Sequence, residues 1–159
     1  MPGPTLVFNH VGHVVTDLAR SRRFYEELLG FTYWWEFEVP DELGSPVLRV
    51  PAPMGMTAAY LIRDGLVLEL MQFAEPGAQA PRRERVMNEP GLTHLSIATD
   101  DFDGVLARVP GYGGEVLADT RNDMVAFIRD PDGQLIEIGT MAWRDMLPPL
   151  PEKEEDEAP

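Results

Sequence analysis

Two histidines and two glutamates occupy matched positions in the two halves of this 159-residue chain. His10 and His94 each open a half within an apolar, strand-like segment, and Glu69 and Glu137 each close one. A carboxylate inside an apolar strand must be paired, protonated or bound to a metal, because an isolated buried charge is too costly. A single glutamate of this kind would most simply face solvent at a sheet edge. Its repetition four residues after a turn glycine in both halves favours a shared site instead.

Strand alternation predicts that these four side chains share one surface. If Val11 and its equivalents pack against helices, His10 and His94 point away from that core, and so do both glutamates. Two imidazoles and two carboxylates suit a borderline divalent ion, namely one Zn, Ni, Co, Mn or Fe ion. On an octahedral ion this set would leave two positions for water or for two adjacent substrate oxygens. His13 has the opposite parity, so we expect it to face the core or a helix.

The elements that must position these residues follow one order twice: a strand, a helix and three strands. In the first half we predict a strand at 8–15, a helix at 18–29 capped by Thr16 or Asp17, and strands at 31–39, 56–62 and 66–73, with 47–50 continuing the strand at 31–39. In the second half we predict strands at 93–99, 115–117, 124–129 and 135–140, and a helix at 101–109. Glycines and prolines mark the turns between them.

The spacing within the two halves also repeats. Asp17 lies seven residues after His10, as Asp101 does after His94, and each aspartate begins a predicted helix. The sequence therefore predicts an α+β fold of two βαβββ modules in tandem, which form a curved mixed sheet around a metal-binding cavity.

This organisation predicts one domain over residues 6–146. Module 1 spans 6–73, a linker rich in Pro, Gly and Arg spans 74–91, and module 2 spans 92–142. Residues 147–159 are rich in proline and acidic residues, a composition typical of a disordered tail.

Composition excludes several classes of function. Hydrophobic residues make up 44% and charged residues 25% of the chain, as in ordinary globular proteins. The absence of cysteine excludes disulfides and thiolate metal sites, and the net charge of −14 argues against nucleic acid or an anionic membrane as a partner. No apolar run approaches the roughly 20 residues of a membrane span, and the N-terminus has no secretory signal pattern. We therefore expect a cytoplasmic protein with a small-molecule substrate.

At these residues the sequence resembles the vicinal oxygen chelate superfamily, which includes glyoxalases, methylmalonyl-CoA epimerases, extradiol dioxygenases and bleomycin- or fosfomycin-resistance proteins. The resemblance covers residues 6 to about 142, and its motifs are the segments 10–18, 24–31, 68–70, 91–94 and 130–137. It implies paired βαβββ modules, a metal held by His10, Glu69, His94 and Glu137, and a homodimer, since many members complete their cavities with a partner subunit. The ligand set resembles bacterial glyoxalase I most closely, because epimerases carry Gln at the second position and extradiol enzymes use His, His and Glu.

Two positions depart from the glutathione-dependent members of this family. Those glyoxalases carry an Arg four residues after the first ligand and an Asn four residues after the second. Here these positions hold Val14 and Phe73, so the usual contacts with the glutathione glutamyl group are missing. The metal site resembles a glyoxalase, but the substrate pocket does not. The side chains expected to contact the substrate are Val14, Val67, Met71, Phe73 and Ser96.

The resemblance and the paired carboxylates predict an enzyme, a metal-dependent isomerase, lyase or epimerase acting on a small carbonyl compound. The ion would stabilise an enediolate-like intermediate, and Glu69 or Glu137 would move the proton as general base. An alternative is extradiol cleavage of a catechol at Fe(II), suggested by the aromatic segment 33–35, although Glu69 would occupy a position that O2 needs. A second alternative is a drug- or metabolite-binding protein without chemistry. The presence of all four predicted ligands argues against it. The sequence leaves open whether the two His/Glu pairs meet within one chain or across two.

Overall fold

The chain forms two βαβββ modules, each built on a four-stranded sheet. A computed structural model describes residues 6–75, 77–79 and 87–149. The strands of module 1 are β1 (Val11–Val15), β2 (Thr32–Val39), β3 (Met56–Arg63) and β4 (Leu66–Phe73). Those of module 2 are β5 (His94–Thr99), β6 (Glu115–Leu117), β7 (Val125–Arg129) and β8 (Leu135–Thr140). The helices are α1 (Leu18–Arg23), α2 (Asp41–Leu48), α3 (Phe102–Arg108) and α4 (Met141–Arg144).

The two sheets have equivalent topologies. Their strand orders are β1-β4-β3-β2 and β5-β8-β7-β6, and in each sheet the first strand runs parallel to the last while the other pairs are antiparallel. This confirms the α+β class and the duplication. The described strands form two separate sheets, whereas the sequence had suggested one curved sheet.

Helix α1 begins where the sequence predicted. The Asp17 side chain accepts a hydrogen bond from the backbone N–H of Arg20 and so caps the first turn. The helix continues as a π-helical turn over Phe24–Leu28, and Gly30 ends it with a φ of +71°. That left-handed conformation favours glycine.

Two predicted boundaries are wrong. The segment at 47–50 does not continue a strand, because Asp41–Leu48 is helix α2. Extended Pro40 precedes it, the N–H of Gly44 bonds to the Pro40 carbonyl, and Asp41 accepts from the Met54 N–H. The first strand begins at Val11 and not at residue 8, which places His10 in the irregular segment just before β1.

One hydrophobic core joins the two modules. Val15, Phe24 and Tyr25 from module 1 pack in the same cluster as Ile128 and Ile138 from module 2. Partly buried residues of the first strands also pack against it, namely Val11, Leu95 and Ile97. The predicted facing of these strands is confirmed, so the opposite sheet faces carry the candidate site residues.

A buried carboxylate also links the modules. Asp130, 3% exposed, follows β7, and its Oδ2 accepts a hydrogen bond from the Tyr25 hydroxyl at 3.0 Å and lies 2.7 Å from His13 Nε2. Its Oδ1 accepts from the backbone N–H groups of Asp132 and Gln134. His13 thus faces the inter-module contact, as its parity predicted.

Parts of the predicted linker and tail, residues 76, 80–86 and 150–159, lie outside the described residues. The domain boundaries therefore stay predictions. In the part of the chain that the structure describes, no helix has the length and apolar character to cross a membrane.

Candidate metal centre

His10 and Glu69 form the first half of the candidate site. The parallel pairing of β1 with β4 places Gly12 opposite Glu69, and His10 Nε2 lies 3.0 Å from Glu69 Oε2. The other ring nitrogen, Nδ1, lies 2.5 Å from Asn9 Oδ1. A carboxamide oxygen only accepts hydrogen bonds, so Nδ1 donates to Asn9, and Nε2 faces the Glu69 carboxylate. A metal ion held by both His10 Nε2 and the Glu69 carboxylate would lie between these two groups.

The geometry of this pair fits a metal ion. Two adjacent ligands on an octahedral ion, each about 2.1 Å from it, are about 3.0 Å apart. The distance between His10 Nε2 and Glu69 Oε2 has this value. An acceptor on the second ring nitrogen is also the usual way in which a metal-binding histidine is oriented, and Asn9 provides it.

Tyr60 orients the Glu69 carboxylate. Its hydroxyl donates a hydrogen bond of 2.6 Å to Glu69 Oε1. Burial, and then the bond to Glu69, raises the pKa of Tyr60, so the hydroxyl stays a donor at neutral pH. Sequence reasoning missed this residue, although a signal existed. The two-residue turn Asp64–Gly65 pairs Arg63 with Leu66, and counting back along the hairpin pairs Tyr60 with Glu69.

Glu137 is held differently, from one side. It is 9% exposed in β8, and its Oε2 accepts hydrogen bonds from Ser96 Oγ at 2.6 Å and from Trp143 Nε1 at 3.1 Å. A Cβ at Gly139 would lie 2.5 Å from Trp143 Cδ1, so a glycine there gives the indole room to reach Glu137. Sequence reasoning also missed Trp143, because strand alternation says nothing about a helix that follows the strand. Within the described residues, Glu137 Oε1 accepts no hydrogen bond.

His94 lies at the start of β5, apart from the first pair. Its Nδ1 is 2.8 Å from Thr93 Oγ1, and its ring packs edge-on against Phe127 with centroids 5.2 Å apart. It also lines a cavity of about 170 Å³ between β1 and β5. Among the described residues, no three His, Asp or Glu side chains are close enough together to hold one ion. The chain brings His10 to Glu69, but does not gather all four predicted ligands.

The predicted substrate contacts fall on two surfaces. Val67, Met71 and Phe73 lie in β4 with the parity of Glu69, and Met71 and Phe73 pack against an apolar cluster of Met54, Met56 and Ala58. Val14 is 42% exposed on the same side of the sheet. Ser96 belongs to module 2, where it holds Glu137. Module 1 therefore provides an apolar surface beside Glu69, and substrate contact with these residues stays a prediction.

The chain is similar to several known proteins. It is 29% identical over 136 residues to the uncharacterized protein YaeR of Escherichia coli (strain K12), across 82% of this chain and 92% of that protein. A glyoxalase family protein from Bacillus cereus superimposes with a TM-score of 0.72 at 21% identity, covering 87% of this chain and 95% of that one.

Two further solved structures share the fold. The trypanothione-dependent glyoxalase I of Leishmania major gives a TM-score of 0.61 at 23% identity, over 86% of each chain. The fosfomycin resistance protein FosX of Listeria monocytogenes gives 0.58 at 15% identity, over 89% of this chain and 97% of that one. Residues 7–138 match the model of one family. The chain belongs to the glyoxalase/bleomycin resistance protein/dioxygenase superfamily.

Proposed function

We propose that this protein is a divalent-metal-dependent isomerase, lyase or epimerase of the glyoxalase type, acting on a small carbonyl compound. The observation that supports this most directly is the 3.0 Å distance between His10 Nε2 and Glu69 Oε2, with the His10 ring oriented by its contact with Asn9. His10, Glu69, His94 and Glu137 would hold the ion, and this set suits Zn, Ni, Co, Mn or Fe.

A bound ion would polarise the substrate carbonyl as a Lewis acid. The two carboxylates of the chain are then suited to different tasks. Glu69 has both oxygens engaged, one by the Tyr60 hydroxyl and one facing His10, so it is fixed in place. Glu137 has Oε2 held by Ser96 and Trp143 but Oε1 free of hydrogen bonds from the described residues. Glu137 is therefore the better general base for moving a proton from the carbon beside the carbonyl.

The surroundings of Glu69 favour an apolar substrate over a glutathione adduct. Val14 and Phe73 occupy the positions at which glutathione-dependent glyoxalases carry an Arg and an Asn for the glutamyl group. Met71 adds to the apolar surface between them. The net charge of −14 further disfavours an anionic tripeptide. We infer that the substrate is small, neutral and not conjugated to glutathione.

A second copy of the chain would complete the site. Large apolar side chains are exposed just before each histidine: Leu6 (90%), Val7 (82%), Phe8 (68%) and Leu92 (82%). Three consecutive exposed apolar side chains, at 6–8, are typical of an interaction surface. We infer a homodimer in which His10 and Glu69 of one protomer face His94 and Glu137 of the partner subunit.

The metal content of protein purified without added metal tests the first part of this proposal. We expect about one divalent ion per chain, since each chain contributes one His/Glu pair to each of two sites in a dimer. The variant His10→Ala should lose the ion. Protein that takes up none of Zn, Ni, Co, Mn or Fe on incubation would contradict the proposal.

Proton transfer is tested with neutral 2-oxoaldehydes, which add one water to give the hydrate, by following the isomerisation of that hydrate to the 2-hydroxy acid. Glu137→Gln should lower kcat by about 10²- to 10⁴-fold while the ion stays bound, because it removes the general base. Glu69→Gln should instead weaken metal binding. Glu115→Gln is the matched control, because Glu115 is the exposed residue of strand β6, and it should leave both kcat and metal binding unchanged. Full activity in both Glu69→Gln and Glu137→Gln would exclude the mechanism.

Extradiol cleavage at Fe(II) is the second candidate. The observation that favours it is the pair of exposed indoles, Trp34 (57%) and Trp35 (44%), on the side of the sheet that carries His10. Consumption of O2 with catechols by the Fe(II)-loaded protein would support it. Conversion of 2-oxoaldehydes with a redox-inert ion such as Zn would decide against it.

A further inference from the structure

A β-bulge in β2 directs two adjacent tryptophans to one side of the sheet. Tyr33 pairs with Leu61 and Trp35 pairs with Tyr60, so Trp34 is the extra residue between two consecutive partners. Its ring centroid lies 6.4 Å from that of Tyr60 at an interplanar angle of 84°, and the Trp35 centroid lies 5.4 Å from it at 14°. Regular alternation would place neighbouring side chains on opposite faces, whereas a bulge re-aims one of them.

The rings of Trp35, Phe37 and Tyr60 stack with nearly parallel planes. Trp35 stacks on Phe37 with centroids 4.7 Å apart at 6°, and Phe37 is parallel to Tyr60 within 13°. We call Trp34, Trp35, Phe37 and Tyr60 the aromatic platform. The two indoles are 57% and 44% exposed, so much of this surface is open. Parallel, offset rings are the arrangement in which a further aromatic ring also binds well.

The aromatic platform is continuous with the candidate metal centre. The Tyr60 hydroxyl bonds to Glu69 at 2.6 Å, and the His10 ring packs edge-on against Tyr60 with centroids 5.7 Å apart. A ring stacked on the platform would therefore place a carbonyl substituent close to both candidate ligands. The near cation, Arg22, is not available to bind an anion, because it lies over Tyr33 on the helix side and pairs with Glu26 and Glu36.

We propose that the aromatic platform binds the ring of the substrate, and that the substrate class is a neutral aryl 1,2-dicarbonyl compound rather than a short aliphatic one. This deepens the proposed function and rests on it. The stacked, partly exposed rings favour an aryl group, Glu69 and the acidic chain disfavour an anion, and the adjacent His10–Glu69 pair accounts for the carbonyls. Trp35, which stacks on both Phe37 and Tyr60, is the specificity-determining residue.

The test compares two neutral diketones that differ in a ring, 1-phenyl-1,2-propanedione and 2,3-pentanedione. Their binding to the metal-loaded, full-length protein is measured by tryptophan fluorescence and by calorimetry. We expect the wild type to bind the phenyl compound about 2- to 10-fold more tightly, from the usual strength of an aromatic pair. Trp35→Leu should weaken binding of the phenyl compound more than that of 2,3-pentanedione and so abolish this preference, and Trp35→Phe should retain part of it.

Tyr33→Leu is the matched control, because Tyr33 is similarly exposed in the same strand but belongs to the helix side, opposite core residue Leu61. It should keep the preference. An unchanged preference in Trp35→Leu would overturn the inference. A Trp35→Leu variant that becomes monomeric but still binds the ligand would also overturn it, because the aromatic platform would then be a contact with the partner subunit. The metal content is recorded in each variant, so loss of the proposed function is distinguished from loss of ring recognition alone.

Discussion

A chain of four side chains defines the first half of the candidate metal centre. Asn9 orients the His10 ring, His10 Nε2 faces one oxygen of Glu69, and Tyr60 donates a hydrogen bond to the other oxygen of that carboxylate. Each contact orients the next, which is how the groups around metal ligands usually tune affinity. Glu137 has two donors on one oxygen only, so the two glutamates are chemically distinct despite their matched positions.

The variant Tyr60→Phe tests this role of Tyr60. It keeps the ring of the aromatic platform but removes the donor to Glu69 Oε1, so we expect metal affinity to fall about 10-fold or more. Titration of the metal-free protein with Co(II), followed by visible absorption, gives the affinity. Tyr112→Phe is the control, because the Tyr112 ring belongs to module 2 and packs against the guanidinium of Arg23. This variant should leave Co(II) binding unchanged. Equal affinity in the Tyr60 variant would show that the hydroxyl only serves the fold.

At the scale of elements, the turn between β7 and β8 connects the two modules. Asp132 in this turn accepts hydrogen bonds from the Thr16 backbone N–H and hydroxyl and from the Ser21 hydroxyl, and it pairs with Arg20 at 2.9 Å. All three partners lie in or just before α1. Burial alone would raise the pKa of Asp132, but the bonds from Thr16 and Ser21 and the charge of Arg20 outweigh it and lower the pKa.

This shift predicts the pH dependence of stability. A carboxyl whose pKa is lower in the folded state stabilises the fold above its usual value of 3.8, and this stabilisation is lost as pH falls through the folded-state pKa. Asp132→Asn should lower the free energy of unfolding by about 1–3 kcal/mol at pH 7. The variant should also lose less stability than the wild type as the pH falls below about 4. Urea unfolding as a function of pH measures both.

The control for this prediction is Asp119→Asn, because Asp119 is exposed in a short 3-10 turn. It should change the free energy of unfolding by less than about 0.5 kcal/mol. An Asp132→Asn variant that is as stable as the wild type at pH 7 would show that the turn contributes little to the packing of the modules.

At the scale of the whole molecule, the two His/Glu pairs are carried by different modules and are not gathered in one place within the described chain. Mixing two inactive variants tests whether a second copy gathers them. In a heterodimer of His10→Ala and Glu137→Ala, one of the two shared sites would be intact and the other would lack two ligands. We therefore expect co-expressed, differently tagged heterodimers to regain one ion per dimer.

The matched control pairs His10→Ala with Glu69→Ala. Both changes affect the same half of the site, so their heterodimer has no intact site and should bind no ion. Restoration by the first pair only would establish a site shared between subunits. Failure of the first pair to bind an ion, in a heterodimer that forms normally, would contradict the shared site.

Much of the fold could be read from local patterns. Period-two alternation identified most strands and their core faces, the Asp17 cap fixed the start of α1, and the turn glycines fixed both closing hairpins. These features depend on residues that are neighbours in the chain. The strand predicted at 47–50 was wrong because the pattern of neighbouring residues did not distinguish a strand from a helix there. Its apolar residues suit either a strand or a helix face, and the extended Pro40 and the bond from Met54 to Asp41 decided for a helix.

The candidate site divides in the same way. The sequence by itself determined which residues are the candidate metal ligands, because His10, Glu69, His94 and Glu137 recur at matched positions in a duplicated pattern, and metal binding by them stays a prediction. Only the tertiary structure decided which side chains contact them, because those contacts join separate elements. Trp143 reaches Glu137 from a helix beyond the strand, and a bulge turns Trp34 and Trp35 towards one tyrosine. Such contacts arise where separate elements pack, and the periodicity of a single element contains no information about the side chains of another.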